Sequence, residues 1–193
     1  MVRYTELKFK IIELTFNANM TNVEKKILTF LRERPEQELY AQEIVAAVRC
    51  SKASASNILA AFSAKKMTLV RTRGHMKFYH INSKHPDVKI FALQQAMKAV
   101  KPISEKLKRK STKIILFGSA SRGEQTTSSD LDILVVTTEK TAVRNILNGN
   151  TTRLPVNAIL KTPSEWSEME VREPELYHEI KSGITLHDYV SRI

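Results

Sequence analysis

Two short apolar runs, Ile114-Ile115-Leu116-Phe117 and Leu131-Asp132-Ile133-Leu134-Val135-Val136, constrain the fold of this chain more than any other feature. Each is bounded by turn-forming residues and has the length and β-branched content of a strand. The first ends in Gly118-Ser119, and ten residues, 120–129, separate that corner from Asp130-Leu131-Asp132 at the head of the second. Side chains two apart on a strand point to the same side, so Asp130 and Asp132 present two carboxylates together. Like charges that close repel. A bound Mg²⁺ removes the conflict, because it favours one or two carboxylates plus water and phosphate oxygens. Gly118 lets the backbone approach a ligand closely, and Ser119 opens a following helix, where its hydroxyl and the free N–H groups can hold a phosphate. An Asp-x-Asp alone is more often a solvated turn or a cap. The weight lies in its combination with the Gly-Ser corner.

Downstream, residues 141–147 read as a helix, Asn148-Gly149-Asn150 as a turn and residues 154–160 as a third strand. Two short helices follow, near 164–169 and 175–182, with Trp166 packing the first onto the sheet. Strand, helix, strand, helix, strand is an α/β order. Upstream the texture is helical. Val23, Ile27, Leu28, Phe30 and Leu31 recur at helical spacing behind a Thr21 or Asn22 cap, in a helix that ends before Pro35. Residues 38–40 are extended; a second helix covers 41–48 and a third 54–65, joined by a turn at 49–52. Residues 68–72 and 77–82 flank Arg73-Gly74-His75-Met76 as a hairpin. Residues 3–16 have no clean period and read as a strand or a short helix.

Between the two regions, residues 88–108 form an amphipathic stretch with Ile90, Leu93, Met97 and Val100 as its apolar stripe. Pro102 can kink or split it. Its basic tail, Lys106-Leu107-Lys108-Arg109-Lys110, reads as a solvated helix end before a linker. The expected fold class is therefore α+β, in three parts: residues 1–85, a linking helix at 86–110, and an α/β domain with a small mixed sheet at 111–193.

Charge divides the chain in the same place. Residues 1–110 hold 22 Lys and Arg against 9 Asp and Glu, whereas 111–193 hold 9 against 11, so the whole formal excess of +11 comes from the first part. Such asymmetry points to two functional units, the basic one meeting a polyanion; the plainer reading is lysines that solubilise a surface. The single cysteine, Cys50, excludes an internal disulfide and a Cys-rich zinc site. His75, His80, His85, His178 and His187 lack metal-type spacing. The first residues lack a signal peptide's apolar core and cleavage site, and no uncharged apolar run reaches the ~18 residues of a membrane span. A cytoplasmic protein with no membrane partner is expected.

Gly118-Ser119, ten residues, then Asp130-x-Asp132 resembles the Gly-Ser-x10-Asp-x-Asp signature of minimal nucleotidyltransferases, small members of the polymerase-beta-like superfamily. Ser121-Arg122-Gly123-Glu124 is similar to the Ala-Arg-Gly-Glu tract usual there, and Ser129 before Asp130 also fits. The resemblance covers residues 113–193. It implies transfer of a nucleoside monophosphate from a nucleoside triphosphate, ATP being the expected one, to a hydroxyl, with Mg²⁺ (or Mn²⁺) as cofactor. By the same resemblance Asp130 and Asp132 are the metal ligands and catalytic carboxylates, Gly118 and Ser119 contact the triphosphate, and Arg122 assists. Such domains usually carry a third carboxylate on the next strand, before a Thr-Pro turn. Here that strand runs into Thr162-Pro163 with Asn157 in the expected place. Asparagine can ligate through its carbonyl oxygen but has no negative charge and cannot serve as a base. Minimal nucleotidyltransferases often pair with small helical proteins in toxin–antitoxin modules, so such a partner is implied, although no residue of this chain shows it.

Three helices and a hairpin over residues 22–82 resemble a winged helix-turn-helix, on element order and not on a diagnostic motif. That resemblance implies double-stranded DNA as a partner. The third helix would enter the major groove with Lys52, Ser54, Ser56 and Asn57, while Arg71, Arg73, His75 and Lys77 make the hairpin a wing on phosphate or the minor groove. A homodimer follows by analogy, and winged helices also serve as protein-interaction modules. Two functions fit the whole: a DNA-binding nucleotidyltransferase, favoured by the intact signature, or a winged-helix transcriptional regulator with a degenerate transferase, favoured by Asn157.

Overall fold

The computed structural model describes residues 20–126, 129–149 and 154–189; the expectations for residues 3–16 and for Asn150 lie outside them. The chain divides into two compact units, and the division falls inside a helix, between Phe91 and Ala92.

The first unit contains α1 (Asn22–Arg32), β1 (Leu39–Tyr40), α2 (Ala41–Val48), α3 (Lys52–Ala64), β2 (Thr68–Arg73), β3 (Met76–Ile81) and the first turns of α4 (Pro86–Leu107). A capping box starts α1: the Glu24 N–H donates to the Thr21 hydroxyl at 3.2 Å, and the Thr21 N–H donates to the Glu24 carboxylate at 2.6 Å. Ile27, Leu28 and Leu31 of that helix pack with Ile44, Leu59, Phe62, Ile81 and Phe91 in one buried cluster. Each such side chain contributes roughly 1.5–3 kcal/mol. The three strands lie in the order β1-β3-β2 and are antiparallel throughout. Arg73 pairs with Met76 around Gly74, whose φ of +60° is the left-handed conformation a two-residue turn needs. The third helix begins two residues earlier than its sequence suggests, because the Ser51 hydroxyl accepts the Ser54 N–H at 3.1 Å and caps it.

Pro102 does not split α4, which runs unbroken to Leu107. An internal proline costs about 3 kcal/mol, but Val100, Ile103 and Leu107 are fully buried on either side of it. The buried stripe also differs from the expected one. Val88, Phe91, Ala92, Ala96, Val100, Ile103 and Leu107 are buried, while Ile90, Leu93 and Met97 are only half-buried. Alanines at 92 and 96 permit closer packing than the bulkier side chains beside them. The basic tail is partly consumed within the fold: Lys108 pairs with Glu105 at 2.6 Å and Lys110 with Glu139 at 2.8 Å.

The second unit holds β4 (Lys113–Phe117), the single turn α5 (Gly118–Ser121), β5 (Leu131–Val136), α6 (Lys140–Asn148), β6 (Val156–Lys161), α7 (Pro163–Arg172), α8 (Pro174–Lys181) and β7 (Ile184–Asp188). Its sheet order is β6-β5-β4-β7, with β5 parallel to β6 and the other pairs antiparallel. The mixed sheet is as expected; the edge strand β7 is not. On one face Ile114, Leu116, Leu131, Ile133 and Val135 pack against α4 and Val143 of α6. On the other, Ile115, Phe117, Leu134 and Val136 meet Met169, Tyr177 and Ile180 of α7 and α8. Trp166 packs there as expected, its ring 4.9 Å from that of Tyr177. Lys140 and the Thr162 N–H both donate to Glu165 at the start of α7, which holds its carboxyl at about 2. Among the described residues, no helix is long and apolar enough to cross a membrane.

Candidate active site

The site forms where β4 ends. Phe117, its last residue, lies opposite Asp132, and the chain turns away at Gly118 with φ +67°. A Cβ built on Gly118 would stand 2.5 Å from Asp132 Oδ2. The carboxylate therefore occupies the space a side chain would need, and only glycine permits that approach. On the other flank, the parallel register places Asn157 beside Asp132, and Asn157 Nδ2 donates to Asp132 Oδ1 at 3.0 Å. Phe117, Asp132 and Asn157 thus form one row across three strands, and Gly118 stands just past it against Asp132.

Alternation along β5 and β6 puts Asp132 and Asn157 on the face that carries Leu134, Val136 and Ile159. Cover by α7 and α8 stops short of this end, for Asp132 is half-buried and Asn157 exposed. Asp130 precedes the strand and is exposed; the next residue, Leu131, anchors the chain by donating its N–H to Pro155 O at 2.8 Å.

The Gly-Ser corner is held from within. Ser121 Oγ donates to Gly118 O at 2.8 Å, and Ser119 O accepts the Glu124 N–H at 2.9 Å. Arg122 faces Glu124 at 3.0 Å and Glu179 of α8 at 3.5 Å. The Glu124 hydrogen bond is the main cause that raises its already high pKa. Contact with a triphosphate would require Arg122 to exchange these partners. Glu179 carries no sequence signal, since only the fold brings α8 to this loop.

The donors suit a hard, oxygen-seeking cation. Asp130 and Asp132 would supply carboxylates, Ser119 a hydroxyl, and Asn157 an amide oxygen if the amide turns over; thiols and imidazoles would not be part of the set. Among the described residues no three His, Cys, Asp or Glu gather as a metal cage. Two carboxylates with substrate oxygens completing the shell match Mg²⁺ or Mn²⁺ better than tetrahedral zinc.

In the first unit, Lys52, Ser56 and Asn57 are exposed at the start of α3, while Ser54 is half-buried with its N–H taken by the cap. Arg71 and Arg73 are exposed but share one partner: Glu38 lies 2.8 Å from Arg71 and 2.5 Å from Arg73. Arg73 also sits 5.1 Å over the Phe78 ring. Cross-strand pairing puts Arg71 with Phe78 and Arg73 with Met76, but Lys77 with Thr72. Lys77 therefore projects from the opposite face of the hairpin.

Residues 97–187 match the family described as "Nucleotidyltransferase domain". The match lies within the second unit, and Gly118, Asp132 and Asn157 fall inside it. No curated protein matches the chain. Among solved structures it is similar to the crystal structure of AF1382 from Archaeoglobus fulgidus, at 19% identity over 46% of this chain and 94% of that one. The TM-score is 0.35.

Proposed function

We propose that this chain is a DNA-binding nucleotidyltransferase, which moves a nucleoside monophosphate from a nucleoside triphosphate to a hydroxyl acceptor. The observation that carries the transferase reading is Asp132, set between the Gly118 corner and Asn157 inside the matched domain. Asp130 and Asp132 hold Mg²⁺ or Mn²⁺, which when bound supplies charge stabilisation at the triphosphate. The Gly118 backbone and the Ser119 hydroxyl seat the triphosphate, and Arg122 joins them on leaving its two glutamates. The acceptor hydroxyl attacks the α-phosphorus as the bond to the leaving pyrophosphate breaks, and its proton passes to solvent. Asn157 positions Asp132 through its hydrogen bond, but as an amide it cannot take the acceptor's proton. Turnover is therefore expected to be slow.

ATP is the expected nucleotide. A small helical protein, as in toxin–antitoxin modules, is one candidate acceptor, and a homodimer on duplex DNA fits the winged-helix reading of the first unit. Asn157 supports a second reading, a transcriptional regulator whose second unit binds nucleotide without transferring it. A labelling experiment separates the two: α-labelled ATP, Mg²⁺ or Mn²⁺, and protein and DNA acceptors. The transferase reading expects covalent label, lowered at least ~100-fold in Asp132→Asn, equivalent to about 2.7 kcal/mol of lost transition-state stabilisation. Equal labelling by the variant would count against Asp132, and no labelling of any acceptor would favour the regulator.

A further inference from the structure

Asp132 turns its two oxygens to different neighbours. Oδ2 faces the Gly118 corner, 2.5 Å from where a Cβ on that glycine would stand. Oδ1 lies toward β6 and accepts a hydrogen bond from Asn157 Nδ2 at 3.0 Å. One oxygen thus looks to the Gly-Ser corner, and the other is capped by a neutral amide. An N–H group repels a cation, so the flank of Asp132 that faces β6 is unfavourable for a metal. Turning the amide over would present a carbonyl oxygen there, yet still no negative charge.

Two divalent ions held about 3.5–4 Å apart, the spacing of two-metal sites, repel each other, and close-set anions must offset that repulsion. At this end of β5 the chain offers Asp130 and Asp132. Among the described residues, no group of three His, Cys, Asp or Glu could hold a metal. Glu124 and Glu179 reach Arg122 beside the Gly-Ser corner, at 3.0 Å and 3.5 Å, and its guanidinium offsets their charge. A single Mg²⁺, by contrast, needs only one or two carboxylates besides water and phosphate oxygens.

We infer that this site holds one divalent cation, the ion that accompanies the triphosphate, and that Asn157 limits it to one; this rests on the nucleotidyltransferase reading above. Asn157 does so in two ways, by capping Asp132 Oδ1 and by standing where a third carboxylate would be needed. It is a positioning residue, fixing Asp132 so that Oδ2 serves the Gly-Ser corner. The acceptor hydroxyl then meets no second ion to lower its pKa, which adds to the slow turnover expected from the missing base.

Counting Mn²⁺ by electron paramagnetic resonance tests this without any turnover. The full chain, in excess over α,β-methylene-ATP, is titrated with Mn²⁺, and equilibrium dialysis measures the nucleotide it retains. The wild-type chain should hold one Mn²⁺ per retained nucleotide, with the spectrum of an isolated ion. Asn157→Asp should hold two, with the dipolar broadening of ions about 3.5–4 Å apart. A merely structural role for Asn157 would leave the count unchanged. Two Mn²⁺ per nucleotide on the wild-type chain would overturn the inference and leave the triphosphate reading standing. A count that stays at one in Asn157→Asp, with nucleotide retained, would overturn the role given to Asn157. If the wild-type chain retains no nucleotide at any Mn²⁺ concentration, the nucleotidyltransferase reading falls and the inference falls with it.

Discussion

Gly183→Ala is expected to unfold the second unit and to leave the first intact. A Cβ at this position would lie 2.3 Å from Leu116 O, 3.0 Å from Ile180 O and 3.0 Å from the Phe117 Cβ. Two of those atoms are backbone carbonyls, so no flexible side chain can move aside to make room. Relief requires β4 and the end of α8 to separate, which breaks the pairing of Leu116 with Ile184 that holds β7 on the sheet. Overpacking that merely crowds side chains costs about 1–3 kcal/mol, and a clash against fixed backbone belongs at or beyond the upper end. Trp166, the only tryptophan, packs on Tyr177 in this unit, so its fluorescence follows the second unit alone. Urea unfolding should show the tryptophan transition lost or moved by ~3 kcal/mol or more, with helical signal from the first unit retained. An unchanged tryptophan midpoint would mean that β7 is not seated against Leu116.

Asn157→Asp should strengthen both metal binding and the proposed chemistry. The amide that now donates to Asp132 Oδ1 at 3.0 Å would become a second carboxylate at that distance. Without metal, the like charges repel by about 1 kcal/mol at this solvent-exposed position, and the Tm should fall. With Mg²⁺, three carboxylates bind more tightly than two, so the Tm should recover and rise with metal concentration, as mass action requires. A carboxylate there can also accept a proton, and labelling from ATP is expected to increase at least ~10-fold. Thermal melts with and without Mg²⁺, run beside the labelling assay, check both effects. A variant whose Tm ignores Mg²⁺ would place position 157 outside the metal's reach.

What the sequence reveals, and what it conceals, follows from the range of the interactions concerned. Strands β4 and β5 announce themselves because their apolar runs are continuous and their ends are marked by Gly118 and Asp130. The same spacing brings Gly118 and Asp132 together, and Asn157 falls beside them because β6 pairs in register with β5. Strand β7 stays hidden. Ile-Thr-Leu-His-Asp mixes polar and apolar residues, and the open edge of β4 decides its conformation. The stripe of α4 is displaced because small Ala92 and Ala96, which carry little hydrophobic signal, are the residues buried. The hairpin arginines read as open phosphate contacts only while Glu38 is out of view; its bond to Arg73 spans 35 residues, beyond any local pattern. Glu179 reaches Arg122 across a still longer stretch of chain.

The central claim is that Asp130 and Asp132 hold the divalent cation through which a nucleoside triphosphate binds. Calorimetric titration of ATP into the full chain, with Mg²⁺ and again with EDTA, tests it most directly against Asp130→Asn/Asp132→Asn. Saturable binding that requires Mg²⁺, weakened at least ~100-fold (about 2.7 kcal/mol) in a variant with an unchanged Trp166 unfolding midpoint, is the expected result. Equal affinity in the variant, or wild-type binding indifferent to EDTA, would contradict it.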